Sequence, residues 1–158
     1  MSETPRDAEA AAPDAAQALA ERVVQQMLAH DRYSAWLGLQ VLEIAPGRSV
    51  VLMTVRDEMV NGFGIAHGGI TFSLADSALA FATNTGGTVS VALDCSISFP
   101  VAVRVGDTFT ARAQVQSRSS KVSFVDITVS NQHDVAVGHF RGTVYHTPKP
   151  HFPEPTAS

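Results

Sequence analysis

The chain has 158 residues, 45% of them hydrophobic, a formal charge of −4 at pH 7 and a single cysteine, Cys95. That length suits one domain with its own core, and a lone thiol excludes an internal disulfide and points to a reducing, cytoplasmic compartment. The absence of any Lys/Arg run argues against nucleic acid as a partner, and no apolar stretch approaches the roughly 20 residues that a membrane span needs.

Residues 1–16 are rich in Ala, Pro, Asp and Glu, carry acids at Glu3, Asp7 and Glu9, and read as a disordered tail with no secretory signal. Ala15 to His30 reads as a helix with a modest apolar stripe at Leu19, Val23 and Met27. A short helical turn around Tyr33 to Leu37 ends at Gly38. A hairpin follows, Leu39 to Ala45 and Ser49 to Val55, turning at Pro46-Gly47. Gly68 to Asn84, with Leu74, Ala75, Ala78, Leu79 and Ala82, is a helix stopped by Gly86-Gly87. It is small or apolar on nearly every face, so burial on most sides is expected. Four strand-like runs come next: Val89 to Phe99, Thr108 to Ser117, Val122 to Ser130, and Val135 to Tyr145. The last three are joined by short turns and predict an antiparallel meander. Residues 148–158, with Pro150, Pro153 and Pro155, read as a second loose tail, leaving one domain over 17–147. One greasy helix among six strands must be covered by the sheet, so the class is α+β, a sheet wrapped round a central helix: the hotdog architecture.

The chemistry gathers on that helix. Between Met59 and Leu93 there is no Lys, Arg or Glu, and the only Asp is Asp76. Burying a carboxylate is costly and raises its pKa, an expense that often marks a functional group. The alternative is a capping role, or a place at a wet interface. Upstream, Asn61-Gly62-Phe63-Gly64-Ile65-Ala66-His67-Gly68-Gly69 combines glycines, which let a substrate approach the backbone, with the free N–H groups of a helix start, which can hold a developing oxyanion. His67 is read equally well as a simple helix cap. Gly68 and Asp76 are eight residues apart, a rise of about 12 Å, whereas donor and base must both lie near one carbonyl. If both act, they come from different subunits, as two antiparallel central helices about a two-fold axis would allow.

Met59-x-Asn61-x-x-Gly64-x-x-His67-Gly68-Gly69, then Phe72-Ser73-Leu74-Ala75-Asp76-Ser77-Ala78, closely resembles the hotdog thioesterases of the PaaI type, named for phenylacetate degradation. The resemblance runs from Leu37-Gly38 to Tyr145 and includes Phe140-Arg141-Gly142. It implies hydrolysis of acyl-CoA thioesters, often aromatic, by tetramers built from two hotdog dimers. It places the catalytic acid on Asp76, the oxyanion donor on the Gly68 amide, and supporting polar groups on Asn61 and His67. Gly69 and Ser77, which flank these, are expected to touch substrate. Arg118 and Lys121 are charges that could meet the coenzyme A phosphates. Coenzyme A belongs to the substrate, and neither a cofactor nor a metal is expected. Two departures stand out. Some relatives have an assisting Ser or Thr where this chain has Ala92 or Leu93, with Ser90 nearby. Some carry Asn where this chain has His30, beside Asp31.

Other signals carry less. Gly62-x-Gly64-x-x-His67 lacks the third glycine and the βαβ unit of a dinucleotide site. No G-x-S-x-G elbow exists. Cys95 sits in a strand pattern and reads as a small hydrophobe, and His133 and His139 show no metal spacing. Two rival functions use the same residues. A dehydratase or hydratase of acyl thioesters would pair His67 with Asp76, and a binding module would hold acyl-CoA without turnover.

Overall fold

A computed structural model describes residues 7–152, with side chains from residue 14 onward. Helix α1 spans Asp7–Leu28 and α2 Arg32–Leu37. The hairpin β1 (Gln40–Ala45) and β2 (Arg48–Thr54) leads through a single 3-10 turn, Asp57–Met59, to the central helix α3, Gly68–Asn84. Then come β3 (Thr88–Ser98), β4 (Thr108–Arg118), β5 (Val122–Ser130) and β6 (Ala136–Pro150). The six strands form one antiparallel sheet in the order β1-β2-β4-β5-β6-β3. The expected meander is β4-β5-β6, and the chain is α+β with a sheet curled about α3, the hotdog fold.

Both ends of the domain differ from the reading above. Helix α1 begins well before Ala15, because the alanine-rich run from Ala8 is strong helix former; of the tail placed at 1–16, residues 1–6 lie outside the described residues. Strand β6 continues through Pro148 to Pro150, where Thr88 of β3 pairs with Pro150. Prolines fit there because β5 has already ended, so their missing N–H groups leave no rung empty on that side. The tail stays attached at His151, whose N–H donates to Gly87 O at 2.8 Å, and at Phe152, whose ring lies 4.6 Å under the Arg22 guanidinium. Pro153 and Pro155 lie outside the described residues. No described helix is long and apolar enough to cross a membrane.

Local chemistry sets each boundary. Asp31 caps α2 by accepting the Ser34 N–H at 2.9 Å, and Gly38 ends that helix at φ +71°, a conformation that glycine adopts without penalty. At the other end of the hairpin strands, Ser49 donates a buried hydrogen bond to the Ala78 carbonyl of α3 at 2.7 Å. The core lies between α3 and the inner sheet face, filled by Leu74, Leu79, Phe81, Met53, Phe109 and Ile127. Each such side chain contributes about 1.5–3 kcal/mol on burial.

Helix and sheet approach closely at Gly142, where an added Cβ would stand 2.8 Å from Leu79 Cδ2. Helix α3 is buried on most sides, as expected. One stripe is less covered in a single chain: Gly69 is exposed, and Phe72, Ser73, Asp76, Ser77 and Ala80 are only partly buried.

Candidate active site

The site starts where α3 starts. His67 is extended (φ −62°, ψ 133°) and caps the helix, its Nδ1 accepting the Gly69 N–H at 2.9 Å. A neutral His67 therefore carries its proton on Nε2. Ile70 N–H goes to the His67 carbonyl at 2.8 Å. Gly68, the first helical residue, is left as the amide with no acceptor among the described residues, at the positive end of the helix dipole. So the cap takes the neighbouring donors and leaves this one free.

The loop before it is pinned by Asn61. Its Oδ1 accepts the Phe63 N–H at 2.9 Å, its carbonyl accepts Gly64 N–H at 3.0 Å, and its own N–H donates to Ile65 O at 2.8 Å. Gly64 sits at φ +73°, which lets the loop turn without strain. Asn61, Gly68, Thr71, Phe99, Val101 and Val103 help line a largely apolar cavity of about 280 Å³. Phe99 closes on the helix start; a Cβ at Gly68 would be 3.1 Å from its ring. Nothing local in the sequence marks Phe99 for this role, since it approaches Gly68 only through the pairing of β3 in the sheet.

Asp76 lies two turns along α3, on the open stripe. Burial holds its carboxyl above the usual aspartate range, with no charged partner among the described residues to offset the desolvation. Beside it is Cys95, whose thiol is pushed up first by burial and then by the negative charges of Asp76 and Asp94. Ser77 shares the stripe. The structure thus brings Asn61, His67, Gly68 and Gly69 together and sets Asp76 with Ser77 about 12 Å further along the helix. Arg118 and Lys121 are at the far end. Arg118 packs on Gly86, where an added Cβ would be 3.3 Å from its guanidinium, and the Lys121 carbonyl accepts the His146 N–H at 2.8 Å.

Ser90, the hydroxyl nearest the position occupied by Ser or Thr in some relatives, is buried. Its Oγ is 2.7 Å from His146 Nδ1, while Ser123 Oγ is 2.8 Å from Nε2. It belongs to an internal network at the end of α3. His30 is exposed at the corner between α1 and α2. A His–acid pair of the dehydratase kind does not form within the chain, because His67 is engaged as a cap and Asp76 is two turns away.

Helix α3 thus carries a free amide donor at its start and a desolvated carboxylate two turns on, and the chain belongs to the thioesterase superfamily, which it matches over residues 63–137. It is a thioester hydrolase by family. It is 40% identical to the acyl-coenzyme A thioesterase PaaI of Escherichia coli K12 over 116 residues, 73% of this chain and 83% of that protein. A putative esterase of Archaeoglobus fulgidus is 33% identical over 80% of this chain and 82% of its own length. Among solved structures, the E. coli PaaI protein from the phenylacetic acid degradation operon aligns with a TM-score of 0.83 at 36% identity, over 85% of this chain and 97% of that one. The protein smu.793 of Streptococcus mutans UA159, solved bound to acetyl-CoA, aligns with a TM-score of 0.69 at 28% identity, over 71% and 90%.

Proposed function

We propose that this protein hydrolyses small, aromatic acyl-CoA thioesters of the phenylacetyl or hydroxyphenylacetyl type, at a site shared between two copies of the chain. The observation that carries the reading is the desolvated, unpaired Asp76 on the same helix as the free Gly68 amide. In this reading the thioester oxygen accepts the Gly68 N–H of one subunit while Asp76 of the other acts on the carbonyl carbon. The carboxylate either removes a proton from the attacking water or attacks directly. The tetrahedral oxyanion then collapses and the coenzyme A thiolate leaves; after direct attack this forms an acyl anhydride with Asp76, which water hydrolyses to the product acid and the free carboxylate. His67 and Asn61 position the donor, one as the cap and the other as the loop staple. Gly69 and Ser77 border the path of the substrate, and Arg118 or Lys121 would meet the coenzyme A phosphates. No metal or cofactor is called for, and a cytoplasmic location suits the substrate.

The split site requires at least a dimer. Support for one comes from the open stripe of α3 and from strand β3, an edge strand of the sheet that exposes Val91 and Leu93. Two α3 helices packed antiparallel on their small residues would bring each Gly68 toward the other copy's Asp76. Two such dimers would make the tetramer that the family resemblance implies.

The test is Asp76→Asn, which keeps the shape and removes the charge. Thiol release from phenylacetyl-CoA should fall at least about 10²-fold in kcat while the thioester still binds. A single turnover in ¹⁸O-water with enzyme in excess separates the two roles. Direct attack puts an Asp76 oxygen into the product, and base catalysis labels the product at once. Near-normal turnover by Asp76→Asn would overturn the reading.

A further inference from the structure

We propose that Tyr33 and Trp36 form a rigid aromatic wall of the acyl subsite and favour thioesters whose acyl group carries an aromatic ring; the inference rests on the thioesterase reading above. The two residues lie three apart on α2, their ring centroids 5.9 Å apart and their planes 23° from parallel. They are 53% and 48% exposed, although α2 has a buried side, which it fills with Ser34 and Leu37. Rings of this size are usually put to use in a core or an interface.

The pair is held, not loose. The Tyr33 hydroxyl is 2.8 Å from Ser73 Oγ, and Ser73 donates to the Gly69 carbonyl at 2.7 Å. With the serine proton used in that way, Tyr33 is the donor of the first bond. The Arg56 guanidinium lies 5.4 Å from the centre of the Trp36 ring. Its own N–H groups are taken by the Trp36 and Leu37 carbonyls at 2.7 and 3.0 Å and by Glu58 at 2.6 Å.

Position decides what the wall meets. Ser73 precedes Asp76 by three residues, about 4.5 Å of helix, on the same open stripe. Tyr33 is therefore anchored about one turn from the acid, with Trp36 stacked on it. The acyl group of a bound thioester begins at the carbon that Asp76 acts on, whereas the pantetheine arm carries the nucleotide well away from it. Nor is the pair built as a phosphate site, since all three nitrogens of the nearby guanidinium already donate to Glu58, Leu37 and Trp36. A planar acyl group can stack on preordered rings with little loss of side-chain freedom, and a flexible alkyl chain gains less.

Trp36 is the only tryptophan in the chain, so tryptophan emission, excited where tyrosine does not absorb, reports on this wall alone. The full-length Asp76→Asn protein, in which thioesters survive, is titrated with phenylacetyl-CoA, hexanoyl-CoA and free coenzyme A. Phenylacetyl-CoA should change the emission saturably, and the other two by less than about a third as much. In the Asp76 background, Trp36→Leu should lower the ratio of kcat/KM for phenylacetyl-CoA over hexanoyl-CoA about 5- to 10-fold. Equal emission responses to all three ligands, or an unchanged ratio, overturns the proposal. Should the wild-type protein hydrolyse thioesters while Trp36 stays indifferent to the acyl ring, only the aromatic wall falls. Should it hydrolyse none while the emission singles out phenylacetyl-CoA, the thioesterase reading falls and the wall stands. Failure of both overturns both.

Discussion

In the proposed reaction Asp76 concentrates the chemistry, because its environment withholds the usual compensation. Its carboxyl is raised by burial alone, so the ionised form needed for turnover accumulates only above an elevated pKa. The acid limb of kcat should therefore have its midpoint above the value of about 3.9 typical of an exposed aspartate, which a pH–rate profile would locate. A midpoint at or below that value contradicts the assignment. The linked effect on stability has a definite sign. Stability that protonated Asp76 would retain is lost as pH rises through its raised folded pKa, so Asp76→Asn should be no less stable than the parent at neutral pH. Cys95 supplies an independent reporter. With burial unchanged and one of its two neighbouring negative charges removed, its thiol pKa should drop. Alkylation of Cys95 at pH 8 should then run faster in Asp76→Asn than in the parent. An unchanged rate would separate the two groups.

Helix α3 was the most legible element, and its bounds coincide with the predicted Gly68 to Asn84. Dense Ala and Leu, the His67 entry and the glycine pair at the exit all act locally, so the chain states them in order. The meander was legible for the same reason, because short turns leave antiparallel pairing as the natural outcome. The open stripe on α3 was not legible. Whether a small residue faces the sheet or the outside depends on how the helix is rotated, and composition does not encode that. Nothing local distinguishes the aromatic pair on α2 from an ordinary helical turn, since the Tyr33 bond to Ser73 spans 40 residues. Gly142 shows the converse, a sequence feature whose reason is tertiary. Its missing side chain makes room for Leu79, with Phe140 also 3.2 Å from where a Cβ would stand. Gly142→Ala should cost about 1–3 kcal/mol through overpacking, measurable as a lower midpoint in urea. An unaltered midpoint would mean that α3 can lift off β6 freely.

At the scale of the whole molecule, the decisive question is whether one chain suffices. The geometry of the helix start makes a clean test available. Gly68 is the first helical residue and His67 before it is already extended, so proline fits Gly68 by backbone criteria while removing the N–H. Only the half-exposed Phe99 ring need shift to admit the new Cβ. Gly68→Pro should lose about 10²–10³ in kcat. Mixing unfolded Gly68→Pro and Asp76→Asn chains and refolding them together should restore activity. In a shared site, each mixed dimer holds one centre with both defects and one with neither, giving about a quarter of the wild-type centres at equal mixing. Failure to regain activity, with mixed dimers shown to have formed, would place donor and acid in the same subunit.

The two edges of the sheet are built differently, and the difference bears on how the chain survives before it assembles. Strand β1 is short, carries a bulge between Val41 and Glu43, and is shielded by α1, where Gln17 donates to the Ile44 carbonyl at 2.6 Å. Strand β3 has 11 residues, with Leu93 61% exposed. Its protection is limited to the two irregularities in its pairing with β6 and the charge of Asp94. An unpaired, partly apolar strand edge will add to any other such edge it meets. A newly made chain is thus in a race between ordered docking and disordered aggregation. Slow synthesis and low temperature favour the first outcome, and a crowded inclusion body is the signature of the second.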